Sequence, residues 1–343
     1  MQRRRLGLLL TALLILTLVL SACGPRPQQG ELAQSATSDQ QLVVDLPAVY
    51  IDYDEQGQAT ISGAALSALG ALLGQDLSVL DRTPEDMQRL ADAGVQQMFI
   101  NLTPSGLGVY ANGKPMLSLA WTADTLANLG TLLGSMPDPT MQQVQGLVPL
   151  LSNMSLGIVM RFPGATGEEM PLVSDEAVDA KAIIAQATKD APAALQAVLP
   201  ENLQGMAGLL GGLLAGLPPL TITFDASGAG TLTGLAPFIA SQIPAGAIAL
   251  PADTLAQLQD LGIQSLNIKN SADGLNITVN GNALPMLMWN RGEMQNLAQL
   301  GVASGALQVL GNLDEGTVDT LKTVADAAPI LQAAKLDVTI NLP

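Results

Sequence analysis

Tyr53-Asp54-Glu55-Gln56-Gly57, with Ile61-Ser62-Gly63 shortly after it, returns later in the chain as Phe224-Asp225-Ala226-Ser227-Gly228 with Leu232-Thr233-Gly234. Asp54, Gly57 and Gly63 thus recur at one fixed offset. Each copy alternates apolar and polar residues around a D-x-x-G turn, which is the pattern of a hairpin. Further on, Leu90 and Gly94 recur as Leu258 and Gly262, and Asn112-Gly113 as Asn280-Gly281. Trp121 recurs as Trp289, and Asn128-Leu129 as Asn296-Leu297. The offset shortens by three between the two sets, as a small loop deletion would cause. A repeat this long, matched in order at its turn and cap residues, reads as duplicated domains rather than a solenoid.

Within each copy the signals predict two strands, two helices, three strands, helices and a closing strand. Val49 to Tyr53 and Ala59 to Ser62 read as the first hairpin, and residues 64–73 as an apolar helix released by Gly63. Thr83-Pro84-Glu85-Asp86 places a capping hydroxyl, a proline and acids at a helix start, and Gly94 closes that helix. Gln96 to Leu102 and Leu107 to Ala111 alternate as strands. Asn112-Gly113 then supplies the two positive-φ residues of a tight turn before Met116 to Trp121. Closing strands are expected at Leu156 to Arg161 and Leu336 to Asn341. The expected fold class is α+β: two tandem homologous domains, each an antiparallel sheet with packed apolar helices. The domains fall at 44–163 and 217–343, joined by a helical connector at 164–216. The connector holds a helix expected from Ser174 to Asp190 and an apolar run from Met206 to Leu217, too short to cross a bilayer.

The N-terminus is of a different kind. Arg3, Arg4 and Arg5 precede an uninterrupted apolar stretch from Leu6 to Leu20, and small residues follow, which is the layout of a secretory signal at 1–22. The junction Leu20-Ser21-Ala22-Cys23-Gly24 resembles the lipobox of bacterial lipoproteins. That resemblance implies cleavage before Cys23 and acylation of its thiol, palmitate being a typical chain. It covers this N-terminus only. It would also account for a lone cysteine in an exported chain, and two or more acyl chains hold a protein firmly at a membrane. Gly24, where aspartate would favour inner-membrane retention, points to the outer membrane in a diderm and to the outer face of the plasma membrane in a monoderm. Residues 23–43 form the lipidated cysteine and a flexible tether rich in Pro, Gln, Ser and Gly.

Removing the signal leaves 11 basic against 30 acidic side chains, a net charge of −19. Such a charge repels nucleic acid and anionic headgroups. The chain has no histidine and one cysteine, which the lipobox resemblance would commit to lipid; this argues against zinc, haem and copper sites and against histidine-activated nucleophiles. No Ser-x-x-Lys dyad, G-x-S-x-G elbow or phosphate loop is present. No cofactor or metal is therefore expected. Asp52, Asp54 and Gln56 before Gly57 begin like a calcium loop, but Gly63 stands where a bidentate glutamate belongs; Asp54 and Asp225 read instead as turn caps. Asp175, Glu176 and Asp179 read as acids complementing a helix start. Trp121 and Trp289 would fit either a sugar platform or a core anchor, with the core reading preferred.

The aromatic-poor helices, rich in Leu, Ala, Gly and Met, would suit a greasy cavity. The expectation is a non-enzymatic envelope lipoprotein binding a hydrophobic small molecule or lipid, with Trp121 and Trp289 as candidate ligand or core anchors. The alternative is a structural or protein-interaction module of the cell envelope without a small-molecule ligand. A carboxylate-only hydrolase would have only equivalent acids such as Asp54 and Asp225 to draw on.

Overall fold

The computed structural model describes residues 44–63, 80–135, 145–146, 148–149, 151–164, 171–174, 179–198, 218–235, 246, 248–271, 273–302, 329, 331–333 and 336–343. The signal at 1–22, Cys23, the tether, Asp175 and Glu176, and the helices expected at 64–73 and 206–217 lie outside them.

The first repeat supplies β1 (Val44–Tyr53), β2 (Ala59–Ser62), α1 (Pro84–Asp92), β3 (Gln97–Thr103), β4 (Gly106–Ala111), β5 (Lys114–Ala120), α2 (Ala123–Gly134) and β6 (Met154–Arg161). The connector helix α3 covers Ala180–Val198, so it runs past Asp190. The second repeat supplies β7 (Leu220–Phe224), β8 (Gly230–Thr233), α4 (Ala252–Asp260), β9 (Ser265–Asn270), β10 (Gly274–Val279), β11 (Asn282–Ala283), β12 (Met286–Met288), α5 (Glu293–Val302) and β13 (Asp337–Asn341).

Local chemistry sets the boundaries of these elements. Thr83 caps α1 through a reciprocal pair, its hydroxyl accepting from the Asp86 amide and the Asp86 carboxylate accepting from the Thr83 amide. Asn112 and Gly113 take φ of 49° and 77°, and Asn280 and Gly281 take 50° and 80°. Both asparagines also do a second job. The Asn112 Oδ1 accepts from the amides of Gln96 and Gln97 at 2.9 and 3.1 Å, and its Nδ2 donates to the Gly94 carbonyl at 2.7 Å. Asn280 repeats all three bonds with Gln264, Ser265 and Gly262. Each hairpin turn is thereby pinned to the end of the preceding helix.

The expectation of two tandem domains with separate antiparallel sheets is corrected by the strand pairing. The described strands form a mixed sheet of 13 strands in the order β2-β1-β6-β3-β4-β5-β12-β10-β9-β13-β7-β8, with β11 beside β10. β6 lies parallel to β1 and antiparallel to β3, and β13 lies parallel to β7 and antiparallel to β9. The closing strand of each repeat returns after helical chain, and such a connection, unlike a hairpin, can bring a strand back parallel to an earlier one.

Two compact units emerge, and they are not the two repeats. Of the described elements, the first unit takes β1 to β4, α1, β5 up to Ser118, β6 and residues 295–302 of α5. The second takes the end of β5, α2, α3, α4, β7 to β13 and the start of α5. In the first unit Val49, Leu90 and Val159 are fully buried, and Tyr53 stacks on Phe162 with ring centroids 5.2 Å apart. Burial pushes the Tyr53 phenol up, with Arg82 opposing. In the second, α2 buries Leu126, Leu129 and Leu133, one apolar stripe at helical spacing.

Candidate functional site

Trp121 and Trp289 follow β5 and β12 and are both buried, at 6% and 3% exposure. The Trp289 indole N–H donates to the Ser271 carbonyl at 3.1 Å. Neither ring offers an open face for stacking a sugar.

The paired aspartates are occupied by their own turns. The Asp54 Oδ1 accepts from the amides of Gln56 and Gln58, and the Asp225 Oδ1 from the amides of Ser227 and Ala229 and from the Ser227 hydroxyl. That hydroxyl first, then the two amides, hold the Asp225 carboxyl below the usual range. Asp52 faces Arg161 at 3.7 Å with both side chains well exposed. The Asp179 carbonyl accepts from the Ile183 amide. Among the described residues no group of three or more His, Cys, Asp or Glu side chains converges, and no helix is long and apolar enough to cross a membrane.

The second unit carries two chemically distinct sheet faces, because its strands alternate along LTITF, SLNIKN and DVTIN. Direct pairing places Leu232, Ile222, Ile340, Leu266 and Val279 in one row across β8, β7, β13, β9 and β10. Leu220, Val338, Ile268 and Ile277 form a second row beside it. Leu266 and Val279 are buried, but the other members of both rows are only half-buried. In the first unit the counterparts of Leu220 and Ile222 are Val49 and Ile51, which are 0% and 4% exposed.

The opposite face differs more sharply. In the first unit Ser62, Tyr50, Val159, Phe99 and Tyr110 form a row across five strands, with Leu172 and Val173 of the connector packed against it. The Phe99 and Tyr110 rings stack at 5.8 Å. The same row in the second unit reads Thr233, Thr221, Thr339, Asn267 and Thr278. There the Asn267 amide donates at 3.0 Å to both Asp337 and Thr339, and Lys269 lies 3.2 Å from Asp337. Asn267, ahead of Lys269 and against a burial penalty, holds the Asp337 carboxyl below the usual range.

These faces escaped sequence reasoning, although strict alternation in β7, β9 and β13 carried the signal for them. Glu293 escaped it as well: it is fully buried at the start of α5, its Oε2 accepting from the Arg291 amide at 2.8 Å. No family model, curated protein or solved structure matches this chain.

Proposed function

We propose that the chain is a non-enzymatic envelope lipoprotein, held to a membrane by acyl groups on Cys23, that binds a hydrophobic small molecule or a lipid. In a diderm the lipobox and Gly24 favour the outer membrane, and in a monoderm the outer face of the plasma membrane. One observation carries the binding half of this reading. The aliphatic rows of the second unit are half-buried at Leu220 and Ile222, where the duplicated positions Val49 and Ile51 are closed. Apolar surface left partly in water gains from covering by apolar matter, at about 25 cal/mol per Å². An acyl chain lying across β7, β13 and β9 would supply that cover.

A second reading, a structural or protein-interaction module, is favoured by the threonine and asparagine row on the opposite face, which would then be the contact surface. Native mass spectrometry with lipid extraction on residues 24–343 separates the two. A stoichiometric co-purifying lipid supports the first reading. A clean apo mass that also fails to take up added fatty acid moves the weight to the second.

A further inference from the structure

Among the described residues, two crossings between the compact units lie within secondary-structure elements rather than in linkers. One falls inside β5, between Ser118 and Leu119, and the other in the first turn of α5, between Met294 and Gln295. Units that open independently are separated by exposed, flexible chain, and a strand interior is the opposite of that. Leu117, Ser118 and Leu119 are all buried. Only Trp121 and Thr122 lie between the end of β5 and the start of α2. Trp121 is buried, and Thr122 is fixed in a reciprocal capping pair with Thr125. Neither residue is loose chain between β5 and α2.

The same contact is also made twice, with the repeats exchanged. The Asn128 amide on α2, from the first repeat, donates to the Ala283 carbonyl of the second repeat at 2.9 Å. The Asn296 amide on α5, from the second repeat, donates to the Pro115 carbonyl of the first at 2.7 Å. Asn128 and Asn296 occupy equivalent positions, and so do Pro115 and Ala283, each third after the asparagine of its hairpin turn. Each repeat therefore lends a helix to the unit that the other repeat's strands build.

We propose that this exchange is a built-in coupling device: the helices α2 and α5 act as straps that make the opening of the two units one event. Loosening either strap lowers the stability of both units equally, although each asparagine touches only one.

Native-state hydrogen exchange read by mass spectrometry on residues 24–343, which retain every described residue, tests this directly. Asn296→Ala removes a bond in the first unit and Asn128→Ala its counterpart in the second. Each variant is expected to lower the protection of the slowest amides in both β3 and β9 by the same factor, about fivefold for one net hydrogen bond. Loss confined to β3 in Asn296→Ala and to β9 in Asn128→Ala, or no loss in either, overturns the proposal. The unaltered protein provides a test that no folding defect can blur. With increasing urea, the slowest amides of β3 and β9 are expected to merge on one opening free energy and one slope; two separate openings overturn the coupling.

Discussion

The side-chain amide of Asn128 donates to the backbone carbonyl of Ala283, 155 residues away in the chain and in the other repeat. Its mirror, Asn296 to Pro115, spans 181 residues. The repeats and the compact units therefore do not coincide. A helix from each copy completes the unit formed mainly by the strands of the other.

The turn asparagines are expected to be among the most sensitive positions outside the core. Asn112→Ala removes three hydrogen bonds and places a Cβ-bearing residue without a local partner at φ 49°. The expected cost is about 2–4 kcal/mol in urea unfolding. Asn112→Gly relieves the backbone but not the lost bonds, so it should recover only about 1 kcal/mol of that. Asn280 should behave in the same way.

How far such features could be read beforehand depended on how local they are. The Asp54 and Asp225 turns, the Thr83 cap and the backbone of the two Asn-Gly turns each involve residues within a few positions of one another, so short windows contain them; the bonds from Asn112 to Gly94, Gln96 and Gln97 lie 15 to 18 positions apart and were not legible in this way. The parallel placement of β6 against β1 could not be read this way. Alternation in Met154–Arg161 says which side chains share a face, and says nothing about the direction of the neighbouring strand. The exchange of α2 and α5 was invisible for a similar reason: Leu126, Leu129 and Leu133 mark a face to be buried without naming the sheet that buries it. The contrast between Phe99 and Asn267, equivalent positions on β3 and β9, was present in the letters. It acquired meaning only once Leu172 and Val173 were seen to pack on the first of the two rows.

Stability should fall on acidification through two identified carboxylates. The folded values of Asp225 and Asp337 are both depressed. Their contribution is therefore complete above the unfolded carboxylate value of about 3.9 and is lost as pH drops through the lower folded values. Thermal midpoints followed from pH 7 to pH 2 should decline below about pH 4, and less steeply in Asp225→Asn and Asp337→Asn. Asn267 is the leading cause at Asp337, and Lys269 is 61% exposed. Asn267→Ala should therefore shift the decline more than Lys269→Ala does.

Anchoring should depend on one atom, the Cys23 sulfur. In a bacterial host the unaltered chain is expected to incorporate labelled palmitate and to sediment with membranes. Cys23→Ser should do neither, and undiminished labelling of that variant would remove the lipoprotein reading.

The measurement closest to the central claim is a titration of a fluorescent fatty acid into residues 24–343, comparing neighbours on β9 that point to opposite faces of the sheet. Ile268 sits in an aliphatic row, and Asn267 in the threonine row. If an acyl chain binds the aliphatic face, Ile268→Asn should weaken binding by at least about tenfold, the worth of one buried isoleucine side chain, while Asn267→Ser should leave it nearly unchanged. Saturable binding that is indifferent to Ile268, or no binding at all, would contradict the account.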